Sequence, residues 1–312
     1  MGDGALVAVD WGTTSFRAAV MDRHGEVIRS VDAKAGIMQV HDGAFEEVLA
    51  RELSRLEAPR GVPVMASGMI TSRQGWVEVP YAPCPAGGAE IAAGVVTRTI
   101  ASGHDVHFIS GLIDMSDPAR PDVMRGEETQ IVGAMPVAAD AAMAVLPGTH
   151  SKWALVADGR IERFSTFMTG EVFAVLGEHS ILGRLMEAGP DDEAGFDKGV
   201  EAGVAEGSAL LHDLFSARTL PLTGGLAGKA VASYLSGLLI GSEIGGARAI
   251  FGSPATRRAC LIGSSGLVAR YRRALGIAGI DCSVAAPDAA ARGMVEIARA
   301  RGLLPTVSEN RT

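Results

Sequence analysis

The first residues of the chain combine one carboxylate with a turn rich in glycine and hydroxyl groups. An apolar strand over residues 6–9 leads into Asp10, which the turn Gly12-Thr13-Thr14-Ser15 follows, and a second strand is predicted over residues 16–21. Glycine lets backbone approach a ligand closely, and consecutive N–H groups form a concavity suited to an anion. A carboxylate is a natural partner for Mg²⁺ that travels with such an anion. With Arg17 near the same tip, the pattern favours a nucleotide-phosphate site over an ordinary β-hairpin, in which glycine and threonine are also common.

A second turn of the same kind occurs in the other half of the chain. A strand over residues 144–146 leads into Pro147-Gly148-Thr149-His150-Ser151, and strands over 153–156 and 160–164 follow, joined by an Asp-Gly turn. The opening segment has the same plan, because a tight polar turn returns a third strand at residues 26–30. The likeness is one of pattern rather than residue identity. A chance repeat of hairpins is the alternative to two lobes that each present a phosphate turn to a nucleotide.

Two further segments contain groups that could act in such a site. Glu127 and Glu128 follow Gly126 at the start of an apolar helical run over residues 131–135. A carboxylate is favoured at a helix start, and it serves either as a helix cap or as a general base. A strand over 260–262 runs into the turn 263–266 and a helix over 267–275, which places free N–H groups at one point. That pattern predicts a nucleotide contact, although many α/β proteins show it without a ligand.

The elements between these motifs alternate in the manner of an α/β protein. A helix is predicted over residues 45–56, and a buried strand over 62–66 feeds the loop 67–69. The alternation restarts near residue 108, so we predict one domain over residues 1–108 and a second over 109–312. The acidic, glycine-rich stretch 186–207 is expected to be a solvated connection. Gly237, Gly241 and Gly245 recur along a predicted helix, and we expect them to permit close packing in a soluble core.

Composition and missing motifs exclude several classes of protein. The 312 residues are 47% hydrophobic, the net charge is −8, and no Lys/Arg-rich run is present, so no nucleic-acid partner is expected. The three cysteines are far apart, which argues against a disulfide framework or a thiolate metal site. No signal peptide or membrane span is apparent, so a cytoplasmic location is expected. No Walker loop, G-x-G-x-x-G or H-E-x-x-H is found.

Six segments in order, DWGTTSFRA, SGMITSRQGW, VMRGEETQIVGA, LPGTHSKW, FMTGE and LSGLLIGSE, resemble the 2-dehydro-3-deoxygalactonokinase family over nearly the whole chain. The first motif is shared with glycerol kinase-like sugar kinases and the wider actin/hexokinase/Hsp70 superfamily, whereas VMRGEETQ and PGTHSKW are more specific. The resemblance implies an α/β fold of two ribonuclease H-like (actin-like ATPase) lobes, each a mixed β-sheet with helices. It also implies ATP-dependent phosphorylation of 2-dehydro-3-deoxy-D-galactonate at its 6-hydroxyl, in galactonate catabolism.

The resemblance implies a role for each matching residue. Asp10 would hold Mg²⁺ through water, and Glu127 matches the catalytic Asp of a G-D-Q turn, although the change from Asp to Glu leaves the choice between Glu127 and Glu128 open. The implied phosphate-binding residues are Gly12, Thr13, Thr14, Arg17, Gly148, Thr149 and His150, and the implied adenosine-binding residues are Gly263, Ser264, Ser265 and Gly266. The implied substrate-binding residues are Trp11, Ser72, Trp76, Arg125 and Lys152, with Arg73 a weaker candidate for the substrate carboxylate. For both tryptophans, core packing is an equal alternative.

Other functions on the same scaffold are a kinase for another 2-keto-3-deoxy sugar acid, a non-catalytic sugar or nucleotide sensor, and a polymerising ATPase. The intact Asp10 and Glu127 favour an enzyme. The expected partners are therefore a small sugar acid and ATP, with no nucleic acid and no membrane. A homodimer is the candidate assembly.

Overall fold

The computed structural model describes residues 4–135, 138, 142–253 and 255–305. These residues form two compact units. Unit 1 draws its described residues from Met1–Pro136, Ala157–Arg163 and Ala286–Thr312, and unit 2 from Val137–Val156 and Phe164–Ala285. The chain is thus mixed α/β, as the sequence predicts.

Strands and helices are interspersed along the described chain, although some strands and some helices occur in consecutive runs. The strands are β1 (Leu6–Trp11), β2 (Phe16–Met21), β3 (Val27–Ala33), β4 (Val64–Ser67), β5 (Ala82–Pro83), β6 (Val96–Thr99), β7 (Asp105–Phe108), β8 (Leu112–Asp114), β9 (Asp122–Met124), β10 (Met143–Leu146), β11 (Ser151–Ala157), β12 (Arg160–Phe167), β13 (Arg258–Leu261) and β14 (Asp281–Val284). The helices are α1 (Phe45–Arg55), α2 (Gly88–Ala93), α3 (Glu127–Ala134), α4 (Thr169–His179), α5 (Glu193–Val204), α6 (Leu210–Asp213), α7 (Ser216–Leu222), α8 (Val231–Phe251), α9 (Ser265–Ile277) and α10 (Ala289–Ala300).

Unit 1 is built on a sheet with the strand order β3-β2-β1-β4-β7-β6. Strands β1, β2 and β3 form an antiparallel meander, while β4 is parallel to β1 and β7 is parallel to β4. Alternate residues of β1, Val7, Val9 and Trp11, are fully buried in a core that α1 also covers with Leu49 and Leu53. This packing puts the carboxyl ends of β1 and β4, which carry Asp10 and Ser67, side by side.

The segment that follows residue 108 belongs to unit 1. Strand β8 pairs with β5 on one side and with β9 on the other in a small three-stranded sheet, and α3 packs against α10 from the end of the chain. The compact units therefore do not coincide with the predicted boundary near residue 108. The reason is that α10, distant in sequence, buries its apolar face on α3 and β1.

A further sheet has the strand order β12-β11-β10-β13-β14, and unit 2 contains all of it except the end of β11 and the first half of β12, which are counted with unit 1. Strand β11 is antiparallel and β13 parallel to β10, just as β2 and β4 are to β1. The repeated plan that the sequence predicts is therefore confirmed at the level of strand order. In both units a glycine- and hydroxyl-rich turn joins the first two strands.

One prediction about unit 2 is wrong. Part of the acidic stretch 186–207 forms helix α5, and its Phe196 and Val200 belong to the hydrophobic core. Helix α8 approaches α5 so closely that a Cβ on Gly237 would lie 2.1 Å from the Phe196 carbonyl oxygen, and one on Gly241 would lie 2.5 Å from that of Val200. This confirms close packing at Gly237 and Gly241, and it shows that the small residues of α5 serve contact rather than flexibility. Among the described residues, no helix has both the length and the apolarity needed to cross a membrane.

Candidate active site

The turn between β1 and β2 is held in shape from behind. Within it, the Gly12 N–H donates to the Ser15 carbonyl at 2.9 Å. The Gly12 and Thr13 carbonyls accept from the N–H groups of Ile37 and Met38 at 3.0 and 3.2 Å. Thr13 and Thr14 are exposed. The carbonyls of Gly12, Thr13 and Ser15 accept hydrogen bonds from within the protein, while the exposed Thr13 and Thr14 present their hydroxyls to solvent, where they can donate to an anion.

Asp10 lies beside this turn and is flanked by polar groups. It pairs with Arg17 of β2 and with Ser67 of β4, and its Oδ2 lies 3.4 Å from the Arg17 guanidinium. Burial raises the pKa of Asp10, and the charge of Arg17 opposes that rise. Its side chain nevertheless keeps 26% of its surface exposed, so its carboxylate remains available to a ligand in solution.

Backbone approach at Gly68 and Gly126 brings the turn Gly126-Glu127 next to Asp10. Both glycines have positive φ, at 93° and 108°, a conformation that side chains with a Cβ rarely adopt. A Cβ on Gly68 would lie 2.9 Å from the Trp11 carbonyl oxygen and 3.4 Å from Asp10 Oδ1. A Cβ on Gly126 would lie 3.2 Å from the Cα of Gly68. The start of α3 therefore lies close to Asp10, because Gly126 packs on Gly68 and Gly68 packs beside Asp10 with no side chain between them.

The two glutamates of this turn lie in different environments. Glu127 is partly exposed, and its Oε2 accepts from the Arg125 N–H at 3.0 Å. Glu128 has no exposed surface, and its Oε2 accepts from the Gly126 N–H at 2.6 Å while Ser67 donates to its Oε1 at 3.3 Å. Burial, followed by the negative charge of Glu127, raises the pKa of Glu128 to about 8. Near neutral pH Glu128 is protonated, whereas Glu127 is the glutamate in contact with solvent.

The described residues contain no group of three or more His, Cys, Asp or Glu side chains that could hold a metal ion. Mg²⁺ in phosphate-transfer sites is commonly held by one or two carboxylates together with waters and substrate phosphates. A single partly exposed carboxylate beside an exposed hydroxyl turn fits that mode of binding, and Asp10 is that carboxylate.

Arg125, predicted to bind substrate, instead contacts the segment that follows β4. Its Nη1 donates to the carbonyl and hydroxyl oxygens of Thr71, both at 2.7 Å, and its Nη2 donates to the Val79 carbonyl at 3.0 Å. The guanidinium also lies over the Tyr81 ring, 4.2 Å from its centre. These contacts fix the loop between residues 71 and 79.

The other predicted substrate residues of unit 1 differ in exposure. Trp11 is fully buried, and its Nε1 donates to the Ala35 carbonyl at 2.8 Å, which matches the core-packing alternative. Trp76 is half-buried and stands edge-on to Phe108. The Ser72 hydroxyl donates to the Met69 carbonyl at 2.7 Å, and Arg73 is exposed. Ser72, Arg73 and Trp76 thus belong to the loop that Arg125 anchors.

The corresponding turn of unit 2 rests on the start of α4. The Glu171 N–H donates to the Thr149 carbonyl at 3.0 Å, and His150 Nε2 lies 2.5 Å from the Glu171 carboxylate. A Cβ on Gly170 would lie 2.5 Å from the Gly148 carbonyl oxygen. Sequence reasoning assigned no role to Glu171, although the segment FMTGE contributes to the family resemblance. The carboxylate now has one: it orients the His150 ring.

Two more predicted positions belong to unit 2. Lys152 is buried, and its Nζ donates to the Thr166 hydroxyl at 2.7 Å. The turn 263–266 is exposed at the start of α9, and a Cβ on Gly266 would meet nothing within 4 Å. The predicted residues therefore form two groups, one around Asp10 and the start of α3 in unit 1, and one around residues 148–151 and 263–266 in unit 2.

The strand order of the two units and the turn after each first strand define an α/β fold of the actin-like ATPase type. Component A of the (R)-2-hydroxyglutaryl-CoA dehydratase of Acidaminococcus fermentans has the same fold, with a TM-score of 0.52, 11% identity and coverage of 94% of this chain and 95% of that one. The predicted fold class is confirmed.

A family model described as 2-keto-3-deoxy-galactonokinase matches residues 10–297, and the chain belongs to this kinase family. A Rhizobium meliloti protein named probable 2-dehydro-3-deoxygalactonokinase is 39% identical over 302 residues, which cover 95% of this chain and 97% of that protein. The Escherichia coli 2-dehydro-3-deoxygalactonokinase is 32% identical over 284 residues, or 91% and 94% of the two chains. A crystal structure from Sinorhizobium meliloti that bears the same enzyme name has a TM-score of 0.87 and 37% identity, and it covers 96% of this chain and 100% of that one.

Proposed function

We propose that the protein transfers the γ-phosphoryl group of ATP to the 6-hydroxyl of 2-dehydro-3-deoxy-D-galactonate, giving the 6-phosphate and ADP in galactonate catabolism. The observation that carries this proposal is the junction in unit 1 of Asp10, an exposed hydroxyl turn and the Gly126-Glu127 start of α3, in a chain of the 2-keto-3-deoxy-galactonokinase family. Phosphoryl transfer depends on positioning, charge neutralisation and a base for the attacking hydroxyl. The junction supplies groups for each.

Glu127 is the proposed general base, which accepts the proton of the 6-hydroxyl as that oxygen attacks phosphorus. The support is its partial exposure and its orientation by the Arg125 N–H. Glu128 is unsuited to this role, because it has no exposed surface and already holds a proton near neutral pH. Asp10 is the proposed ligand for Mg²⁺, through water, and the ion supplies neutralisation of phosphate charge when it is bound with ATP.

The remaining assignments concern binding. Gly12, Thr13 and Thr14 are proposed to contact the β- and γ-phosphates, with Arg17 near the transferred group. Gly148, Thr149 and His150 are proposed to contact nucleotide phosphates, and Gly263 to Gly266 to contact adenosine. Ser72, Trp76 and Lys152 remain candidates for the sugar acid. Because the Arg125 guanidinium donates to Thr71 and Val79, we assign it to holding the substrate loop rather than to the substrate carboxylate.

The test is substrate-dependent ADP release with Mg-ATP across a panel of 2-keto-3-deoxy sugar acids that includes the galacto and gluco epimers. The galacto acid is expected to give the highest kcat/KM. Highest turnover of another panel member would replace the proposed acceptor, because one stereocentre can be read by a single hydrogen bond. Absence of ADP release with every acid would overturn the proposed reaction.

The base is tested with E127Q and a matched control, E47Q. Glu47 lies in the first turn of α1, as Glu127 does in that of α3, but it is exposed. We expect E127Q to lower kcat at least about a hundredfold, the usual worth of a general base, with nucleotide affinity kept and E47Q unchanged. Near-normal turnover in E127Q would assign the proton to another acid.

We further propose a cytoplasmic location, where ATP is available, and a homodimeric assembly. Fractionation of cells that express the protein and light scattering of the purified chain test these two points.

A further inference from the structure

A buried carboxylate in unit 2 has no role in the steps above. Glu243, in the middle of α8, is 3% exposed. Its Oε1 accepts from the Trp153 indole N–H at 2.7 Å, and its Oε2 accepts from the Tyr271 hydroxyl at 2.8 Å. The hydroxyls of Ser151 and Thr169 are also close enough to this carboxylate to lower its pKa. Four side chains therefore converge on one acidic group inside the unit.

Three of these partners belong to segments assigned to the nucleotide. Ser151 ends the turn 147–151 and begins β11, and it also lies 2.7 Å from the Tyr271 hydroxyl. Thr169 begins α4, the helix whose Glu171 contacts the Thr149 carbonyl and the His150 ring. Tyr271 lies on α9, which starts directly after the turn 263–266. One carboxylate thus connects both exposed turns of unit 2 and the helix start that supports the first of them.

Burial of an acid has a cost that simple core packing would avoid. A carboxylate removed from water is tolerated when hydrogen bonds replace its hydration, and desolvation indeed raises the pKa of Glu243 while its four partners oppose that rise. An apolar side chain at position 243 would fill the space but leave the Trp153 N–H without an acceptor. The polar network therefore specifies the positions of Ser151 and Thr169 in a way that an apolar core would not.

We propose that Glu243 is a positioning residue for the nucleotide phosphates: through Ser151, Thr169 and Tyr271 it holds the turn 148–151 in its binding conformation. The inference rests on the proposed assignment of that turn to the phosphates of ATP. Glu243 itself touches neither the nucleotide nor the sugar acid.

The test compares two buried tyrosines of unit 2. Y271F removes the hydroxyl that bridges Glu243 and Ser151, whereas Y234F removes a hydroxyl whose hydrogen bond, among the described residues, is to Ser216 on α7 at 2.6 Å. Tyr271 and Tyr234 are 2% and 3% exposed, so the two variants are matched in burial and chemistry. Loss of one hydrogen bond changes an equilibrium by about three- to tenfold. We expect Y271F to raise the KM for ATP and the Kd for ADP by about that factor, with the KM for the sugar acid unchanged and Y234F like wild type.

A second variant, E243Q, tests the carboxylate. Glutamine keeps the shape of the side chain and one acceptor oxygen for the Trp153 N–H. Its amide nitrogen is a donor, however, and it would face the Tyr271 hydroxyl, which donates to Glu243 in the wild type. That hydroxyl would have to turn and accept instead. We expect a rise in the KM for ATP at least as large as that of Y271F, again without a change in the KM for the acid. Glu243→Leu, which abolishes every partner contact, is expected to have the largest effect on ADP affinity.

Calorimetric titration with ADP, which needs no acceptor, separates the outcomes. If wild type binds no ADP, the assignment of the turn to nucleotide fails and the proposed function fails with it. If wild type binds ADP and both E243Q and Y271F bind it equally well, the positioning role is refuted and the proposed function stands. In a third outcome, Y271F and Y234F change the KM for ATP and the KM for the sugar acid equally, together with a lower melting temperature. The network would then be purely structural, and the positioning role of Glu243 would be refuted.

Discussion

Replacement of Glu128 by glutamine is expected to remove a pH-dependent loss of stability. Glu128 is fully buried and accepts hydrogen bonds from the Gly126 N–H and the Ser67 hydroxyl. Glu127 raises its pKa and Arg125 lowers it, but burial dominates. Glutamine has the same shape and one acceptor oxygen, carries no charge at any pH, and can donate to the Ser67 oxygen from its amide nitrogen.

The sign and size of the effect follow from the pKa of Glu128. That pKa rises from its ordinary value of 4.5 to about 8 on folding, so the native state binds the proton more tightly than the unfolded chain. The stability from this proton is fully present below about pH 4.5 and is lost as the pH rises through about 8. At about 1.4 kcal/mol per pH unit the whole change is about 5 kcal/mol, of which about 3 kcal/mol falls between about pH 5 and pH 7.5.

The assay is urea unfolding of wild type and E128Q at several pH values across that range, with T129V as the control. The Thr129 hydroxyl donates to the Gly126 carbonyl at 2.7 Å and does not titrate, so T129V should differ from wild type by a constant amount. E128Q should gain about 3 kcal/mol on wild type from pH 5 to pH 7.5 and should retain turnover within about tenfold, since the neutral form is the one being imitated. Parallel stability curves for wild type and E128Q would refute the protonated state, and complete loss of turnover in E128Q would make Glu128 the base instead.

Three further predictions concern the turns and the loop that surround the site. G12A should melt within about 1 °C of wild type, because its Cβ would meet only Ser15 atoms at 3.7 Å. It should nevertheless bind ATP at least about tenfold more weakly, because the added Cβ would keep phosphate away from the backbone. Calorimetry measures both quantities, and unaltered ATP affinity would disprove the contact. G170A should lose about 1–3 kcal/mol of stability to overpacking and raise the KM for ATP, because its Cβ would lie 2.5 Å from the Gly148 oxygen; an unchanged KM for ATP would show that the turn is tolerant. R125M should lower the unfolding free energy by about 2–4 kcal/mol, since hydrogen bonds to Thr71 and Val79 are lost. It should also raise the KM for the sugar acid more than the KM for ATP. A larger rise in the KM for ATP would assign Arg125 to the nucleotide.

Local patterns predict the elements around the phosphate turns well. The strands around Asp10 and around Gly148 follow from apolar runs ended by glycine, and their pairing follows from the short turns between them. Helix α5 shows the limit of such reasoning. Its many charged residues face solvent, and its glycines, which suggest a flexible segment, are the surface on which α8 packs. A glycine in a loop and a glycine in a close helix contact are identical in sequence.

The sequence shows which candidate site residues are present, but it does not show what each of them contacts. Trp11 and Trp76 are the same residue type beside comparable motifs, yet one is fully buried and the other half-exposed. Arg125 and Lys152 suggest anion binding by charge alone, but Arg125 is occupied by the Thr71 and Val79 carbonyls. The acceptors that Arg125 meets lie more than forty residues away in sequence, and local spacing carries no information about them.

The sequence by itself determined the family, the two repeated strand–turn–strand plans, the Asp10 turn and the presence of two acids at the start of α3, because each depends on residues adjacent in the chain. Tertiary structure alone decided that α10 joins unit 1 and that Glu243 gathers side chains from three other segments, β11, α4 and α9. It also decided that Glu128 is buried and protonated while its neighbour is exposed. The physical reason is the same in each case: burial, and with it the strength of electrostatic interactions and the pKa of an acid, is produced by chain segments that are far apart in sequence and meet only on folding.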